Sequence, residues 1–516
     1  MVVHLLATIF AAVRLGAPFT DGVVLQREIP VPVWGTADAG EKVAVSFSGQ
    51  TKSAKADKSG KWSVTLDPMP ASSEGRTLTV SSPNPTIKQS NNQTILHNVL
   101  VGDVWFVAGQ SNMDVPLIGS EPRYRDGHGQ APSVLTRLKS VRWCDYHNVW
   151  RPFTPENLRK ERISAVAFYY GRELGLSAGV PIGLLCRHTG GLNIETWISR
   201  RGYELNGKLP KYLNWKRRGK DEWDGAKHTD GTITHWVKQP MVIHEEWVEP
   251  ITPFACRGVI WYQGEQNAEN REMDYDVKMD ALLRTFEIDF ANPALKFYFV
   301  QIPPPCAGIG FPESQQRFVR SHAKDGRVKM AVINDVASPV GDHGSRMEPV
   351  GRRLAYLALR YDYGFSDLVA ESPVAVSCAA DGKRMRVTLE HGEGLYVYNE
   401  KVSYDAPFQL AGADGVFKPA KIVNPCATKD WAGRERCVGE IMPNEIVLEA
   451  DGVEKPVAVR YLHGSVTTGN VFNGGNLPLA PFDLAVGGRA AGHKTSAGAK
   501  GWRREAGFDY HNQFEK

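Results

Sequence analysis

Ser111 follows Val104-Trp-Phe-Val107, an uncharged run of β-formers that ends at Ala108-Gly109. Such a run reads as a buried strand of a parallel sheet. A serine on the turn beyond it lies at the carboxyl edge, where open α/β sheets build their sites. Two roles are open to it, the N-cap of a following helix or a nucleophile. It is not a Gly-x-Ser-x-Gly elbow, because residue 113 is Met. Three more strand ends carry polar clusters: Gly190-Gly191 after Ile182–Leu185, Asn267 after Gly258–Tyr262, and the Asp335–His343 loop after Met330–Ile333. Parallel strands deliver their ends to one edge, so the four segments are able to share a site. The chemistry open to them is acyl transfer. A hydroxyl nucleophile needs a base, usually a histidine oriented by a carboxylate. The oxyanion needs fixed N–H donors, each worth about 3–4 kcal/mol of barrier. Ser111 would attack and add its own N–H. Gly190 or Gly191, lacking a side chain, would bring a backbone N–H close, and Asn267 would offer an amide N–H.

The positioning elements follow from periodicity. Ile163–Ala178, Met273–Phe290 and Glu348–Arg360 have helical spacing, and they alternate with the strands above and with Leu295–Ile302. Alternation of this kind argues for a parallel α/β sheet over residues 101–365. Residues 14–100 read as short strands at about ten-residue spacing, a small β-sandwich. From 366 to 487 strands return, separated by Gly/Asp turns, as a second β-domain. The tail 488–516 is rich in Gly, Ala, Lys and Arg and reads as disordered. Residues 114–160 and 200–247 show no clear period and read as substrate-facing loops.

A chain of 516 residues calls for two to four domains. With 61 basic against 57 acidic residues and a net charge of +4, it carries no nucleic-acid footprint. No run approaches the roughly 20 apolar residues of a membrane span. Seven scattered cysteines without Cys-x-x-Cys show no zinc or redox motif, and Cys426 and Cys437 are near enough for one local disulfide. Residues 5–13 within segment 1–13 read either as an atypical signal h-region or as a strand. Thirteen Trp and 17 Tyr would suit sugar rings wherever they are exposed, and core packing is the alternative.

Gly102-Asp-Val-Trp105 with Gly109-Gln-Ser-Asn-Met113 resembles the first block of the sialate O-acetylesterase family, a branch of the SGNH hydrolases. Gly190-Gly191 before Glu195-Thr-Trp197, Trp261-Tyr-Gln-Gly-Glu-Gln-Asn267 and Val350-Gly-Arg-Arg-Leu-Ala355 are similar to later blocks, in order. Asp21–Arg27 with Pro30–Gly35 is similar to the family's entry segment. The resemblance implies an α/β fold: an SGNH-hydrolase-like parallel-sheet catalytic domain flanked by N-terminal and C-terminal all-β domains. It implies a serine esterase that removes O-acetyl groups from carbohydrate through an acetyl-Ser111 intermediate, with acetylated sialic acid as the first choice of substrate. No metal or organic cofactor, no nucleic acid and no membrane partner is implied, and the location is extracytoplasmic. A xylan-type polysaccharide acetylesterase is the rival enzyme. A non-catalytic carbohydrate-binding protein on the same scaffold is the rival of another class.

By the same register the catalytic histidine is His343, seven residues before Val350. The family's orienting Asp is missing from its usual places, which hold Gly341 and Val340, and Gly344 stands where the family has proline. Asp342 is then the first choice of acid, and a Ser–His dyad supported by a backbone carbonyl the second. Asp335 matches an acidic position of the preceding segment and reads as a supporting neighbour. Gln110, Gln263 and Glu265 are expected to support the site, Glu265 by bracing its loop.

Overall fold

The computed structural model describes residues 13–82, 93–118, 132–217, 238–304, 310–336, 346–397, 407–423, 428–429, 435–436, 444–463 and 469–487. Its centre is a parallel sheet of β1 (Gln93–Gly109), β2 (Val141–Cys144), β3 (Ile182–His188), β4 (Gly258–Tyr262), β5 (Lys296–Val300) and β6 (Val328–Ala331). The spatial order is β2-β3-β1-β4-β5-β6, with every neighbouring pair in that order parallel. The chain leaves β1 first to one side and then to the other, so a topological switch point lies beside the end of β1.

The pleat of β1 sends alternate side chains to opposite faces. Trp105 packs edge-on against Tyr170 of helix α2 (Ala165–Ser177), with ring centroids 5.4 Å apart. Phe106 meets Phe286 and Phe290, at 5.4 and 5.0 Å, where helix α4 (Tyr275–Asp289) covers the other face. Both faces being covered, β4 is GVIWY with no polar residue and is buried throughout. Each such large apolar side chain contributes about 2–3 kcal/mol by leaving water. Helix α5 (Glu348–Asp362) lies against α2, where Gly351 approaches the α2 backbone too closely for a side chain.

The division expected at residue 100 falls inside one strand. The first half of β1 pairs with Val24–Gln26 and Ser72–Ser81 of the N-terminal β-region, and its second half enters the parallel sheet. One hydrophobic core runs from Val13 to Ala370 accordingly. A separate core, built on residues such as Met385, Phe408, Leu448 and Tyr461, fills the C-terminal β-region of a seven-stranded and a four-stranded sheet.

Some elements depart from the expected pattern. Within 114–160, β2 and the edge strand Trp150–Pro152 form an antiparallel pair. The stretch expected to be irregular from residue 200 begins with the helix Arg200–Asn206, whose N-cap Ser199 accepts from Gly202 N–H and whose C-cap Gly207 is left-handed. A short helix Pro210–Leu213 follows. Gln50–Lys55 is a strand without an apolar side chain larger than alanine, held by its pairing with Lys42–Phe47. Among the described residues no helix is long and apolar enough to cross a membrane. Cys144, Cys186, Cys256 and Cys378 are free thiols. Cys426 and Cys437, segment 1–12 and the tail lie outside the described residues.

Candidate active site

The turn after β1 is forced by contact with β4. Gly109 has φ +151°, and a Cβ there would lie 2.1 Å from the Tyr262 carbonyl oxygen. Gln110 N–H donates to that same oxygen at 3.0 Å. The chain then enters the one-turn helix α1 (Ser111–Asp114), for which Gln110 is the N-cap. Ser111 is therefore not the cap. It is the first helical residue, half-buried, while Asn112 and Met113 beside it are buried.

Loop 189–193, after β3, closes on this serine. Thr189 N–H donates to the Gly109 carbonyl at 3.3 Å. A Cβ built on Gly190 would stand 3.5 Å from Ser111 Cβ, so the glycine backbone faces the serine directly. Gly191 is left-handed at φ +68°, and the Lys238 ammonium lies 3.9 Å from where its Cβ would be. Lys238 Nζ also donates to Gln266 Oε1 at 3.3 Å.

The end of β4 supplies the supports. Gln110 Oε1 accepts from Gln263 Nε2 at 3.1 Å and from Gln266 N–H at 3.3 Å. Buried Glu265 accepts from Asn112 Nδ2 at 2.5 Å, which ties the residue after Ser111 to helix α3 (Glu265–Glu269). Glu265 thus sits where a brace would. The Asn267 amide, expected to serve as an oxyanion donor, has both hydrogens committed to carboxylates. Its two amide hydrogens go to Glu195 Oε2 at 2.9 Å and Glu272 Oε2 at 2.8 Å. Its carbonyl oxygen accepts from Ile194 N–H at 3.0 Å and Gln263 Nε2 at 2.8 Å.

Behind Asn267 is a buried charge cluster. Lys278 of α4 has no exposed side-chain surface, and its ammonium donates to Glu195 Oε1 at 2.6 Å and to Glu272. Tyr212 adds an O–H to Glu195 Oε1 at 2.8 Å. Burial pushes the Glu195 carboxyl up, but the Lys278 charge and the hydrogen bonds from Lys278 and Asn267 outweigh it, leaving Glu195 below the usual glutamate value. Burial alone would lower the Lys278 ammonium. The attraction of Glu195 reverses that and raises it.

A second pair flanks α1. His188 Nδ1 lies 2.8 Å from Asp114 Oδ1, while Arg162 donates to Asp114 Oδ2 at 2.9 Å. Tyr146, part-exposed, packs edge-on against both His188 and Trp247, with centroids 5.8 and 5.1 Å away.

At the end of β6, Asp335 gives both oxygens to Arg353 of α5, at 2.6 and 2.7 Å. Asn334 Nδ2 donates to the Leu479 carbonyl at 2.8 Å, which fastens this strand end to the C-terminal β-region. His343 and Asp342, with Gly341 and Gly344, lie outside the described residues. Ser111, Gln110, Gly190, Gly191, Gln263, Glu265 and Asn267 all come from the ends of the three adjacent strands β3, β1 and β4. Asp335 comes from the end of β6, two strands beyond β4. Among the described residues no cluster of three or more His, Cys, Asp or Glu side chains is arranged to hold a metal.

Sequence reasoning passed over His188, Asp114, Lys238 and Lys278. Asp114 stands three residues after Ser111, on the same helical face, and His188 ends a buried strand; both are visible signals. Lys278 has none, since a lysine among helical residues reads as surface.

Residues 101–339 match the family model described as carbohydrate esterase, sialic acid-specific acetylesterase. The sialate O-acetylesterase of Homo sapiens is 28% identical over 401 residues, 70% of this chain and 73% of that protein. The sialate O-acetylesterase of Rattus norvegicus is 28% identical over 419 residues, 70% and 76% of the two chains. A carbohydrate acetylesterase from Xanthomonas citri, of solved structure, is 27% identical and superposes over 92% of this chain and 99% of that one with a TM-score of 0.71.

Proposed function

We propose that this chain, whose residues 101–339 match the family model described as carbohydrate esterase, sialic acid-specific acetylesterase, removes O-acetyl groups from sialic acid by attack of Ser111. The observation that carries this reading is the approach of Gly190 to within 3.5 Å, as a built Cβ, of Ser111 Cβ. Gly190 has no side chain of its own to separate its backbone from Ser111, which supports a backbone N–H there as an oxyanion donor.

The steps follow. Ser111 Oγ adds to the acetyl carbonyl while His343 takes its proton. The oxyanion is met by the N–H groups of Ser111 and of Gly190 or Gly191. Collapse expels the sugar hydroxyl, which regains the proton from His343, and a water deacylates Ser111 by the same route. Asp342 orients His343 in this reading, because both oxygens of Asp335 are engaged by Arg353.

Two features at the rim favour an anionic sugar. Lys238 stands beside Gly191, where a carboxylate could meet its ammonium, and Tyr146 offers a part-exposed ring. The β2-β3-β1-β4-β5-β6 order with the serine after β1 supports an SGNH-hydrolase-like core between β-rich regions 14–100 and 366–487. Action outside the cytoplasm belongs to the same reading and rests on the family resemblance, with the apolar run 5–13 as a candidate signal segment; fractionation of the native host tests it.

The deciding experiment compares acetate release from O-acetylated sialic acid and acetylated xylan, for the native chain and for Ser111→Ala. Faster release from the sialic acid, reduced by several orders of magnitude in Ser111→Ala, is expected. Preference for xylan would reassign the substrate. Sugar binding without acetate release would make the chain a binding protein.

A further inference from the structure

We propose that Lys278 is a positioning residue for the oxyanion loop, acting through Glu195 and Asn267; this rests on the reading of Ser111 and Gly190 given above.

The loop that faces Ser111 is followed at once by a segment held at every turn. Leu192 carbonyl accepts from Gln263 Nε2 at 2.9 Å, and Ile194 N–H donates to Asn267 Oδ1 at 3.0 Å. Glu195 carbonyl accepts from Tyr203 O–H and Met241 N–H, each at 3.0 Å. Asn267 is able to receive Ile194 N–H only while its amide faces the right way. That orientation is set by Glu195 and Glu272, which accept its two hydrogens. A reversed amide would aim its oxygen at two carboxylates. Those carboxylates are held together, in a site where they would otherwise repel, by the ammonium of Lys278. The sequence of dependence therefore runs from Lys278 to the carboxylate pair, to the Asn267 amide, to Ile194, and so to Gly190 and Gly191.

A buried ammonium between two carboxylates is a poor device for stability alone, since apolar residues of equal volume do as well or better. It is an effective device for fixing one orientation of an amide. Among the described residues, the charged and titratable groups that face Glu195 are Lys278, Glu272, Tyr212, Tyr203 and Tyr275, with Asp274 at 3.4 Å from Lys278 Nζ. Removing the ammonium takes away the main influence that opposes burial and leaves chiefly the hydrogen bond from Asn267, so Glu195 would take up a proton at higher pH than in the native chain.

The test is Lys278→Met in the full chain, assayed for acetate release from O-acetylated sialic acid between pH 4.5 and 9. Expected are a kcat about 100-fold lower, as a displacement of about 1 Å would produce, a KM within about threefold of the native value, and an acid limb of kcat displaced to higher pH. Glu195→Gln, which keeps an acceptor for Asn267, should abolish that displacement in the Lys278→Met background and recover part of kcat. A folded Lys278→Met with native kcat and an unmoved pH profile overturns the proposal, and so does a change confined to thermal stability. Should Lys278→Met fail to fold, Lys278→Arg is read by the same criteria, with about a tenfold loss of kcat expected. Ser111→Ala is assayed in parallel. If it still releases acetate, the reading of the site has failed. If it is inactive while the Lys278 variants retain native kcat and pH profile, the failure lies with the positioning role alone.

Discussion

Gly109→Ala puts the geometry of the nucleophile turn to a direct test. The added Cβ would lie 2.1 Å from the Tyr262 carbonyl oxygen and 2.7 Å from its carbon, both backbone atoms of β4. Side-chain rotation cannot relieve a backbone contact. To reach the 3.0 Å below which such contacts do not occur, the turn has to retreat by about 0.9 Å from β4. The retreat strains two bonds accepted by Tyr262 and Gly109, those from Gln110 N–H and Thr189 N–H. The backbone strain of a non-glycine residue at φ +151° adds about 1–3 kcal/mol. Overpacking against β4 adds about 1–3 kcal/mol, so a loss of about 2–6 kcal/mol in stability is expected. Ser111, two residues on, moves with the turn, and a displacement near 1 Å costs about 100-fold in kcat. The assay is thermal unfolding beside acetate release, with KM little changed because the proposed sugar contacts, Lys238 and Tyr146, are not part of this turn. A variant with native melting temperature and kcat within a factor of two would refute the argument that β4 dictates the turn.

Asp335→Asn should cost about 3 kcal/mol of stability, measured by denaturant unfolding, because it strips a buried Arg353 of its charged partner. Its kcat should fall less than that of Asp342→Asn; loss of turnover with unchanged stability would make Asp335 the orienting acid. Lys238→Met should raise KM at least tenfold for an O-acetylated sialic acid and leave a neutral acetylated sugar within a factor of two, and equal effects on both would remove Lys238 from carboxylate recognition. His322, whose Nε2 lies 3.5 Å from Asp280 Oδ1, is held above the usual 6.5, the pairing with Asp280 being the main cause. A raised histidine value stabilises fully below the unfolded value and is lost as pH rises through the folded one. The melting-temperature advantage of the native chain over His322→Gln should therefore be present at pH 6 and shrink by pH 8.5, and a constant difference would contradict the assignment.

Legibility differed by the range of the interaction concerned. Val104–Val107 and Val259–Trp261 were readable as buried parallel strands because burial on both faces removes every polar residue from a short run, a local record of a global position. Once the strands were placed, their ends had to gather on one edge, and the closeness of Gly190 to Ser111 was legible for that reason. The role of Asn267 was not legible. An asparagine at a strand end looks the same whether its amide is free or committed, and the commitment here comes from Glu195, 72 residues away, and from Lys278 on another helix. The boundary read at residue 100 falls within one strand, β1, whose two halves pair with different regions. Asp335 read as a supporting neighbour, and its partner, Arg353 of α5, was set by packing and not by the local sequence.

The sequence by itself therefore determined the strands, the helices and the edge on which the chemistry gathers, since these follow from hydrophobic period and chain continuity. Only the tertiary structure decided which polar groups face the serine and which are spent on one another. Hydrogen bonds and ion pairs are satisfied by whichever partner packing brings within about 3 Å, and that partner is set by the contact of distant elements.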